Sequence, residues 1–566
     1  MNKTKAFSYF LRKSPLVRSL LWISAALIFI LSSVLFGLHA KKNPTIDSIT
    51  PPVGAPGDLV IISGKDFGAI RDTSYVEFGG SKLTASAYVS WSDTEIKVVL
   101  PANVKDGLVV VETKDARSKP AFFANTTAAP VAVPQNVQTT IPMITGISPE
   151  KIAPGTLISI SGVNFGNSRE LSRVFFSTDR EIKQEESQTQ APEEDFSFVE
   201  ASDDNFDYAY WSDNEIRLYV PDGATNGYVY VETAKGKSAK RKLSMENLAG
   251  KKSFIAPRTY LIQMETDIDD TNGDKESTII LHCPRPFISP SQPSAQMTEY
   301  SPEPVIADFQ HTIIHQTSGA KAAGVKKRFT HNFAVTVYEI RTEIAAAKLS
   351  RAQEVNKSLA ALATRADECV PAQSQEIKDL AKSVVKTEQN PYNKAALLYN
   401  YMLQNYKILD TERRGSANPL DLLKNKKGDA YDFSMVYTAL LRAAGIPALP
   451  DSGILVGTDL KAKNHWWTEF YVAGFGWIPV DTALGAGMKF QSWQKDFEPS
   501  QFYFGNLDAQ HILFSRGWNE IKPSAPNNKT VRRPKSYALQ SIWEEANGKT
   551  IKYSSYWGEP AIIGLY

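Results

Sequence analysis

Two distant stretches of the chain carry the same succession of strands and turns, and this internal repeat strongly constrains the fold. Residues 59–68 (LVIISGKDFG) correspond to residues 157–166 (LISISGVNFG), and a Trp-Ser-Asp motif follows in both copies. Short alternating runs of apolar and polar residues between Gly and Pro clusters are typical of antiparallel sandwiches. The repeat therefore predicts two all-β modules, over residues 43–124 and 142–247.

Each copy contains a turn with Pro and Gly, then an aliphatic strand that ends in Gly-x-x-Phe-Gly. This order resembles the IPT/TIG module. The resemblance implies an immunoglobulin-like fold and a spacer or adhesion role, with a purely mechanical stalk as the alternative. Within the second copy, residues 179–207 carry eleven acidic and two basic residues. This self-repelling composition predicts an insert that is disordered at the surface.

The N-terminal region contains an uncharged apolar run over residues 19–38, preceded by several Lys and Arg residues. At about 1.5 Å per residue this run is long enough to cross roughly 30 Å of hydrocarbon. The positive-inside rule predicts that residues 1–18 are a cytoplasmic tail, that residues 19–38 are a transmembrane signal-anchor, and that the bulk of the chain is periplasmic or at the cell surface. A cleaved signal peptide ending near Ala40 is the alternative.

Composition and charge exclude several classes of function. The net charge of +2 is too small to indicate a nucleic-acid partner. The two cysteines, Cys283 and Cys369, have no CxxC or Cys/His spacing, so neither a metal nor another cofactor is predicted. Whether these cysteines pair is left open. We expect His311 and His315, four residues apart in a β-rich stretch, to be ordinary structural histidines.

The pattern changes from strands to helices in the middle of the chain. Residues 250–343 alternate as strands do, and Asn272-Gly273 is a hairpin signal that predicts pairing of the strands on either side. From residue 344 the pattern becomes helical. A helix start at Asn390-Pro391 leads to a second, more apolar helical stretch.

That second stretch begins after Gly428, and its apolar residues recur at helical spacing. They are Phe433, Val436, Tyr437, Leu440, Leu441 and Ala444. Gly445 and Pro447 follow as helix-stop signals. The pattern predicts a buried helix in the centre of a domain.

The same stretch, with two later ones, resembles the transglutaminase-like, papain-fold superfamily. In that family a Gly-x-Cys opens the nucleophile helix, which here ends in Leu-Leu-Arg-Ala-Ala-Gly-Ile-Pro-Ala. His465-Trp-Trp-Thr-Glu-Phe-Tyr resembles the family's histidine strand, and Gly-Trp-Ile-Pro-Val-Asp481 resembles its aspartate strand. The resemblance implies a transglutaminase-like core over residues 344–520. It also implies a preceding β-domain at 250–343, and residues 521–566 are a C-terminal extension expected to pack on the core.

The family's cysteine position is occupied by Ala430. A methyl group has no lone pair with which to attack a carbonyl, and loss of a triad nucleophile costs on the order of 10⁶ in rate. The remaining His465 and Asp481 are then two members of a degenerate triad, which predicts a catalytically inactive domain. An engineered Cys→Ala replacement or another nucleophile, such as Ser434, is the alternative; the protein would then be an acyl-transfer enzyme or a cysteine-type amidase or protease.

These inferences together predict a multidomain, membrane-anchored protein. Two all-β immunoglobulin-like sandwiches are followed by an α+β papain-like transglutaminase core with an N-terminal β-domain. The expected role is that of a binding or scaffold module in the cell envelope. Its expected partners are the membrane, through the N-terminal helix, and an envelope protein or a peptide.

Overall fold

A computed structural model describes most of the chain after residue 42. The described residues are 43–566 without 102–103, 105–106, 115, 126–140, 182–196, 247–248, 323, 350–354, 414–416, 519–522, 526, 534 and 549–550, together with residues 19, 23, 24 and 27. The predicted cytoplasmic tail and most of the predicted transmembrane segment therefore lie outside the described residues. None of the helices that the structure describes combines the length and the apolar character needed to cross a membrane.

The first module is a sandwich of two sheets around one apolar core. Its strands are β1 (Thr45–Thr50), β2 (Val53–Gly54), β3 (Leu59–Lys65), β4 (Tyr75–Phe78), β5 (Ser81–Lys82), β6 (Tyr88–Trp91), β7 (Glu95–Val99), β8 (Gly107–Glu112) and β9 (Ala121–Asn125). One sheet has the order β1-β3-β7-β6, and the other has the order β2-β9-β8-β4-β5. Alternate residues of β3 and β7 face inward, as the period of two requires.

The second module repeats this architecture. Its strands are β10 (Met143–Ser148), β11 (Leu157–Val163), β12 (Arg173–Thr178), β13 (Ser197–Glu200), β14 (Tyr208–Trp211), β15 (Glu215–Tyr219), β16 (Ala224–Thr233), β17 (Gly236–Lys237) and β18 (Arg241–Leu243). The predicted disordered insert at 179–207 is wrong in part. Strand β13 lies inside it and pairs with β12, because Val199 is an apolar residue that the sandwich core buries. Residues 182–196 of the insert lie outside the described residues.

The β-domain consists of two further sheets packed face to face. Its strands are β19 (Gly250–Asp269), β20 (Thr278–Pro284), β21 (Ser294–Ser301), β22 (Ile306–Phe309), β23 (Thr312–Ser318) and β24 (Lys327–Ile344). The C-terminal extension adds β31 (Lys529–Arg532), β32 (Trp543–Asn547), β33 (Ser554–Trp557) and β34 (Ala561–Leu565). The sheets have the orders β21-β24-β19-β33, with β34 also on β19, and β22-β23-β20-β32-β31.

Two sequence-based expectations about this domain differ from the structure. The predicted hairpin around Asn272-Gly273 is wrong, because β19 and β20 belong to different sheets. The long β19 pairs with β24 instead, over seventeen residue pairs. The extension, expected on the core, supplies strands to both sheets of the β-domain. Its segments cover sheet edges that would otherwise be left unpaired.

The α+β core is built around a four-stranded sheet, and its central helix packs on one face of that sheet. The helices are α1 (Lys357–Thr364), α2 (Gln375–Val385), α3 (Pro391–Asn405), α4 (Asp421–Asn425), α5 (Ala430–Ala443), α6 (Thr482–Gly485) and α7 (Pro499–Phe502). The main strands are β27 (Ala448–Val456), β28 (Ala462–Val472), β29 (Gly476–Val480) and β30 (His511–Arg516), in the order β29-β28-β27-β30. A short parallel pair, β25 (Lys407–Ile408) and β26 (Lys427–Gly428), precedes α5.

Helix α5 forms the centre of the core. Its sequence has a clear start signal and a clear stop signal, and most of its residues are apolar. Asp429 and Asp432 form a capping box at its start, and Gly445 takes a left-handed conformation, with φ of 78°, after its end. All residues from Ala430 to Arg442 are buried. The helix packs against α2, α3 and β28, so its first turn is fixed at one edge of the sheet.

Candidate functional site

His465 and Asp481 meet at one edge of the four-stranded sheet. His465 lies on β28, and Asp481 follows the paired strand β29 directly. The Nε2 atom of His465 is 2.5 Å from Oδ2 of Asp481. The other carboxylate oxygen, Oδ1, accepts the backbone N–H groups of Ala483 and Leu484, both at 2.9 Å. Asp481 therefore caps helix α6, and this cap holds the carboxylate in position for the imidazole.

A second histidine, to which the sequence analysis gave no role, completes the cluster. His511, at the start of β30, has its Nε2 atom 3.0 Å from the same Oδ2 of Asp481. Its Nδ1 atom is 2.8 Å from Oδ1 of Asp508. Tyr503 donates its hydroxyl to the other oxygen of Asp508, at 2.7 Å. The available sequence signal was an ionisable i, i+3 pair, Asp508 and His511, in an otherwise apolar stretch.

The charges in this cluster compensate one another. Burial alone would raise the pKa of Asp481, but His465 and His511 outweigh it and hold this pKa well below its usual range. Burial alone would lower the pKa of His511, but the charge of Asp508 and the hydrogen bonds of both carboxylates raise it to about 9. At neutral pH His511 is therefore a cation that links two buried carboxylates.

Ala430 is the first residue of α5, and its neighbours show which way this turn of the helix faces. The Tyr431 ring packs edge-on against the Trp466 ring, with centroids 5.5 Å apart. One turn after Ala430, Ser434 donates its hydroxyl to the backbone carbonyl of Trp467, at 2.5 Å. These contacts pack the first turns of α5 against residues 466–468 of β28. Among the described residues, Nδ1 of His465 has no hydrogen-bond partner.

The alternative nucleophile Ser434 is fully buried, and its hydroxyl is already used in hydrogen bonds. Its hydroxyl donates to Trp467 and also lies 3.2 Å from Oγ1 of Thr468, which in turn is 3.0 Å from Oγ1 of Thr438. This hydroxyl network joins α5 to β28. Ser434 therefore acts as a structural contact in this arrangement.

The two cysteines offer no substitute nucleophile either. Both are free thiols, so they do not form the disulfide that the sequence left open. Burial raises the pKa of Cys369 to about 12, and burial likewise raises that of Cys283 to about 12. A protonated, buried thiol is a poor nucleophile.

The carboxylates next to Ala430 are held in ion pairs. Arg413 donates from Nη2 to Asp432 at 2.9 Å and from Nε to the same carboxylate at 3.0 Å. Lys535, from the C-terminal extension, lies 2.5 Å from Oδ2 of Asp429. These contacts stabilise the first turn of α5. They also leave Asp429 and Asp432 with structural roles.

The site is closed in this structure. The exposed fractions of Ala430, His465 and Asp481 are 5%, 1% and 0%. Ligand atoms of His465, Asp481 and His511 all lie within 4.8 Å of one another, a donor set of two imidazoles and one carboxylate. Holding a metal there would require His511 to give up its bonding protons, and the two carboxylates beside it oppose that loss.

Comparison with known protein families agrees with the resemblances found in the sequence. Residues 378–482 match the Transglutaminase-like superfamily, and residues 44–127 and 142–181 match the IPT/TIG domain. An uncharacterized protein of Haemophilus influenzae is 27% identical over 168 residues, which cover 25% of this chain and 46% of that protein. A cyclomaltodextrin glucanotransferase of Niallia circulans is 43% identical over 63 residues, which cover 11% of this chain and 8% of the enzyme. The chain thus spans less than half the length of these curated relatives.

Solved structures with some likeness include a putative cysteine protease from Cytophaga hutchinsonii and the periplasmic domain of TgpA from Pseudomonas aeruginosa. The first is 14% identical, covers 55% of this chain and 93% of that chain, and has a TM-score of 0.37. The second is 15% identical, covers 60% of this chain and 94% of that chain, and has a TM-score of 0.25. Scores this low carry no argument about shared activity. The family matches stand by themselves: residues 378–482 belong to a transglutaminase-like domain, and IPT/TIG domains precede it.

Proposed function

We propose that this protein is a non-catalytic member of the transglutaminase-like superfamily that acts as a binding or scaffold module in the cell envelope. The observation that carries the proposal is that Ala430 starts the buried helix α5, where the family pattern has a cysteine, in a domain that keeps the His465–Asp481 pair. Ser434, both cysteines, Asp429 and Asp432 have structural contacts or raised thiol pKa values. None of these five residues is then available as an attacking group for His465.

A structural role is enough to explain why His465 and Asp481 are present without a nucleophile. Asp481 accepts bonds from two backbone amides and contacts two histidines, so it joins β28, α6 and β30. Removing one partner of such a buried network costs stability whether or not the domain is an enzyme. The pair can thus be retained for folding alone.

A cavity away from the degenerate triad supports a binding role. Its volume is about 440 Å³, and it lies where the second module, the β-domain and the core meet. Phe175, Trp477 and Arg180 are among its lining residues. Arg180 donates from its terminal nitrogens to two backbone carbonyls, while its buried Nε has no hydrogen-bond partner. The lining combines aromatic rings with both basic and acidic side chains, a surface that suits a peptide whose terminal carboxylate meets a basic group such as Arg180.

The absence of catalysis is tested by restoring the sulfur. We expect Ala430→Cys to create a thiol whose pKa, followed by thiolate absorbance, is at least about one unit below an ordinary thiol, because the helix N-terminus and His465 stabilise the thiolate. Ser383→Cys, on the exposed face of α2, is the matched control. Adding His465→Ala to the first variant should remove much of the shift.

The same proteins are assayed for peptide-amide hydrolysis and amine incorporation. The natural sequence should show neither reaction. Turnover by the unmodified protein, or a thiol at position 430 as weakly acidic as Cys369, would contradict the proposal. The first result would reveal an unrecognised nucleophile, and the second would place residue 430 away from the imidazole.

The binding role and the envelope location have their own tests. Titration with tetrapeptides that end in glutamate should change the tryptophan fluorescence of the protein, and Arg180→Met should abolish that change. The location rests on the apolar run at residues 19–38. Carbonate extraction should leave the full-length chain in the membrane fraction, and external protease should digest it in spheroplasts. A freely extracted chain would refute the anchor.

A further inference from the structure

Three metal-binding side chains converge between the two sheets of the β-domain, far along the chain from the degenerate triad. Cys283 lies on β20 and His315 on the neighbouring β23, while His331 lies on β24 of the facing sheet. Their exposed fractions are 1%, 2% and 1%. Sγ of the cysteine and one nitrogen of each histidine all lie within 4.8 Å of one another.

The strand registers show that this convergence belongs to the fold. His315 is paired with Leu281, two residues before Cys283, so the cysteine and His315 face the same side of their sheet. His331 projects from the opposite sheet, and its Nε2 atom is 2.8 Å from Nε2 of His315. The three ligands thus come from both layers of the sandwich.

Burial favours neutral imidazoles in this cluster, whereas it opposes loss of the Cys283 thiol proton, which the metal would have to displace. Burial lowers the pKa of His315 to about 4, and burial together with the neighbouring His315 lowers that of His331 to about 3. Both rings are therefore neutral at pH 7, and two neutral imidazoles that face each other have at least one nitrogen lone pair between them. Neutral imidazole is the form that binds metals.

The surroundings are largely apolar, although the buried carboxylate of Glu544 lies close enough to act on the Cys283 thiol. The Phe329 ring lies 4.8 Å from the His315 ring, and Met264 is directly opposite His331 in the pairing of β19 with β24. Met264 is itself buried in the same core as Cys283. No fourth His, Cys, Asp or Glu joins the cluster within the part of the chain that the structure describes.

We propose that Cys283, His315 and His331 form a three-coordinate site for Cu(I). On binding, the Cys283 thiol releases its proton to solvent, the ring proton shared between His315 and His331 moves to the other nitrogen of its ring, and copper bonds form to sulfur and to both rings, with no change in oxidation state. One thiolate and one Cu(I) have zero net charge, which an apolar interior tolerates, whereas Zn²⁺ would leave a net positive charge. Zn²⁺ would also need a fourth ligand, and no fourth His, Cys, Asp or Glu of the described residues supplies one.

The site is independent of the proposed binding function, since it lies in another domain and uses none of the triad residues. Its role would be to hold the two sheets of the β-domain together. Metal that binds only the folded protein adds its binding free energy to stability.

The full-length chain supplies the test, with the second buried cysteine as a matched control. Protein is produced with copper in the medium, because a site this buried is filled during folding, and metal content is then measured by mass spectrometry. We expect one copper per chain in the natural protein and in Cys369→Ser, which removes a thiol beside Tyr431. Cys283→Ser and His315→Gln should each lower the affinity by about 100-fold or more, measured against a Cu(I) chelator under anaerobic conditions.

A second readout separates metal loss from misfolding. Copper should raise the Tm of the natural protein and of Cys369→Ser, and leave the Tm of Cys283→Ser unchanged. If Cys283→Ser does not fold, His315→Gln serves for the same comparison. The assignment is overturned if Cys283→Ser and His315→Gln both retain copper. It is also overturned if the natural protein contains no metal after production in copper, or if it binds zinc in preference to copper.

Discussion

His511 shows how a single buried side chain can couple the His465–Asp481 pair to the pH of the solution. It contacts the carboxylates of both Asp481 and Asp508, which raise its pKa from 6.5 to about 9. A raised pKa means that the folded state binds the proton more tightly than the unfolded state does. The stabilisation is therefore complete below pH 6.5 and is lost as the pH rises through about 9.

We expect the free energy of unfolding of the natural protein to fall on the order of 3 kcal/mol between these pH values through His511. The difference between the natural protein and His511→Asn should accordingly be largest near pH 6 and should shrink toward pH 10. Urea unfolding at a series of pH values, followed by tryptophan fluorescence, measures it. The contrasting variant is His282→Asn, because burial lowers the pKa of His282 and predicts no such alkaline loss. A constant difference for His511→Asn would contradict the prediction.

At the scale of elements, the position of β27 between β28 and β30 depends on one glycine. Gly453 pairs with His465 on one side and with Leu513 on the other, and it lies in the sheet that carries both histidines of the cluster. A Cβ atom at this position would lie 1.8 Å from the backbone oxygen of Ile512 and 3.1 Å from the Trp467 ring. Neither the backbone of β30 nor the buried indole can move away without opening the sheet.

Gly453→Ala should therefore reduce the free energy of unfolding by about 3 kcal/mol or more, since the clash involves backbone. The control is Gly457→Ala, a few residues along the chain. There the nearest atom to a new Cβ is Oδ1 of Asp459, at 2.7 Å, and this partly exposed side chain can move aside. We expect Gly457→Ala to reduce the free energy of unfolding by less than about 1 kcal/mol. If thermal or urea unfolding shows the same loss of unfolding free energy for both variants, the close strand contact is not the cause.

At the scale of the whole molecule, the second sandwich is attached to the core by buried polar contacts. Lys252 Nζ lies 2.5 Å from Oδ1 of Asp222 and 2.5 Å from the backbone oxygen of Trp477. The Trp477 amide donates to the same Asp222 oxygen at 3.0 Å. Arg516 adds a bond to Asn205 at 2.7 Å. The module, the β-domain and the core thus share one polar junction beside the cavity.

Asp222→Ala should destabilise this junction by about 3 kcal/mol, because it leaves a buried ammonium without its partner. We expect earlier thermal unfolding and faster proteolysis between the second module and β19. Glu246→Ala is the matched change in the same module, since its pair with Lys151 is largely exposed and contributes little. Unchanged unfolding and proteolysis of Asp222→Ala would refute the attachment.

Features with a local sequence signal were predicted well. The Asn390-Pro391 start defines α3, and the signals around Gly428 and Gly445 place α5, because helix ends are set by the few residues that satisfy the terminal backbone groups. The doubled Gly-x-x-Phe-Gly motif gave both sandwiches, and the family comparison confirms the IPT/TIG prediction. That Ala430 stands at the family's cysteine position stays a prediction, made from the family pattern in its neighbours along the chain.

The sequence by itself determined the modules, the central helix and the alanine at its start, because each is written in residues close together along the chain. Only the tertiary structure decided that His511 joins His465 at Asp481, that residues 529–565 complete the β-domain, and that Cys283, His315 and His331 face one another. These groupings depend on which distant strands pair and which faces pack together. Strand pairing is set by the packing of the whole core, and no local pattern of residues specifies it.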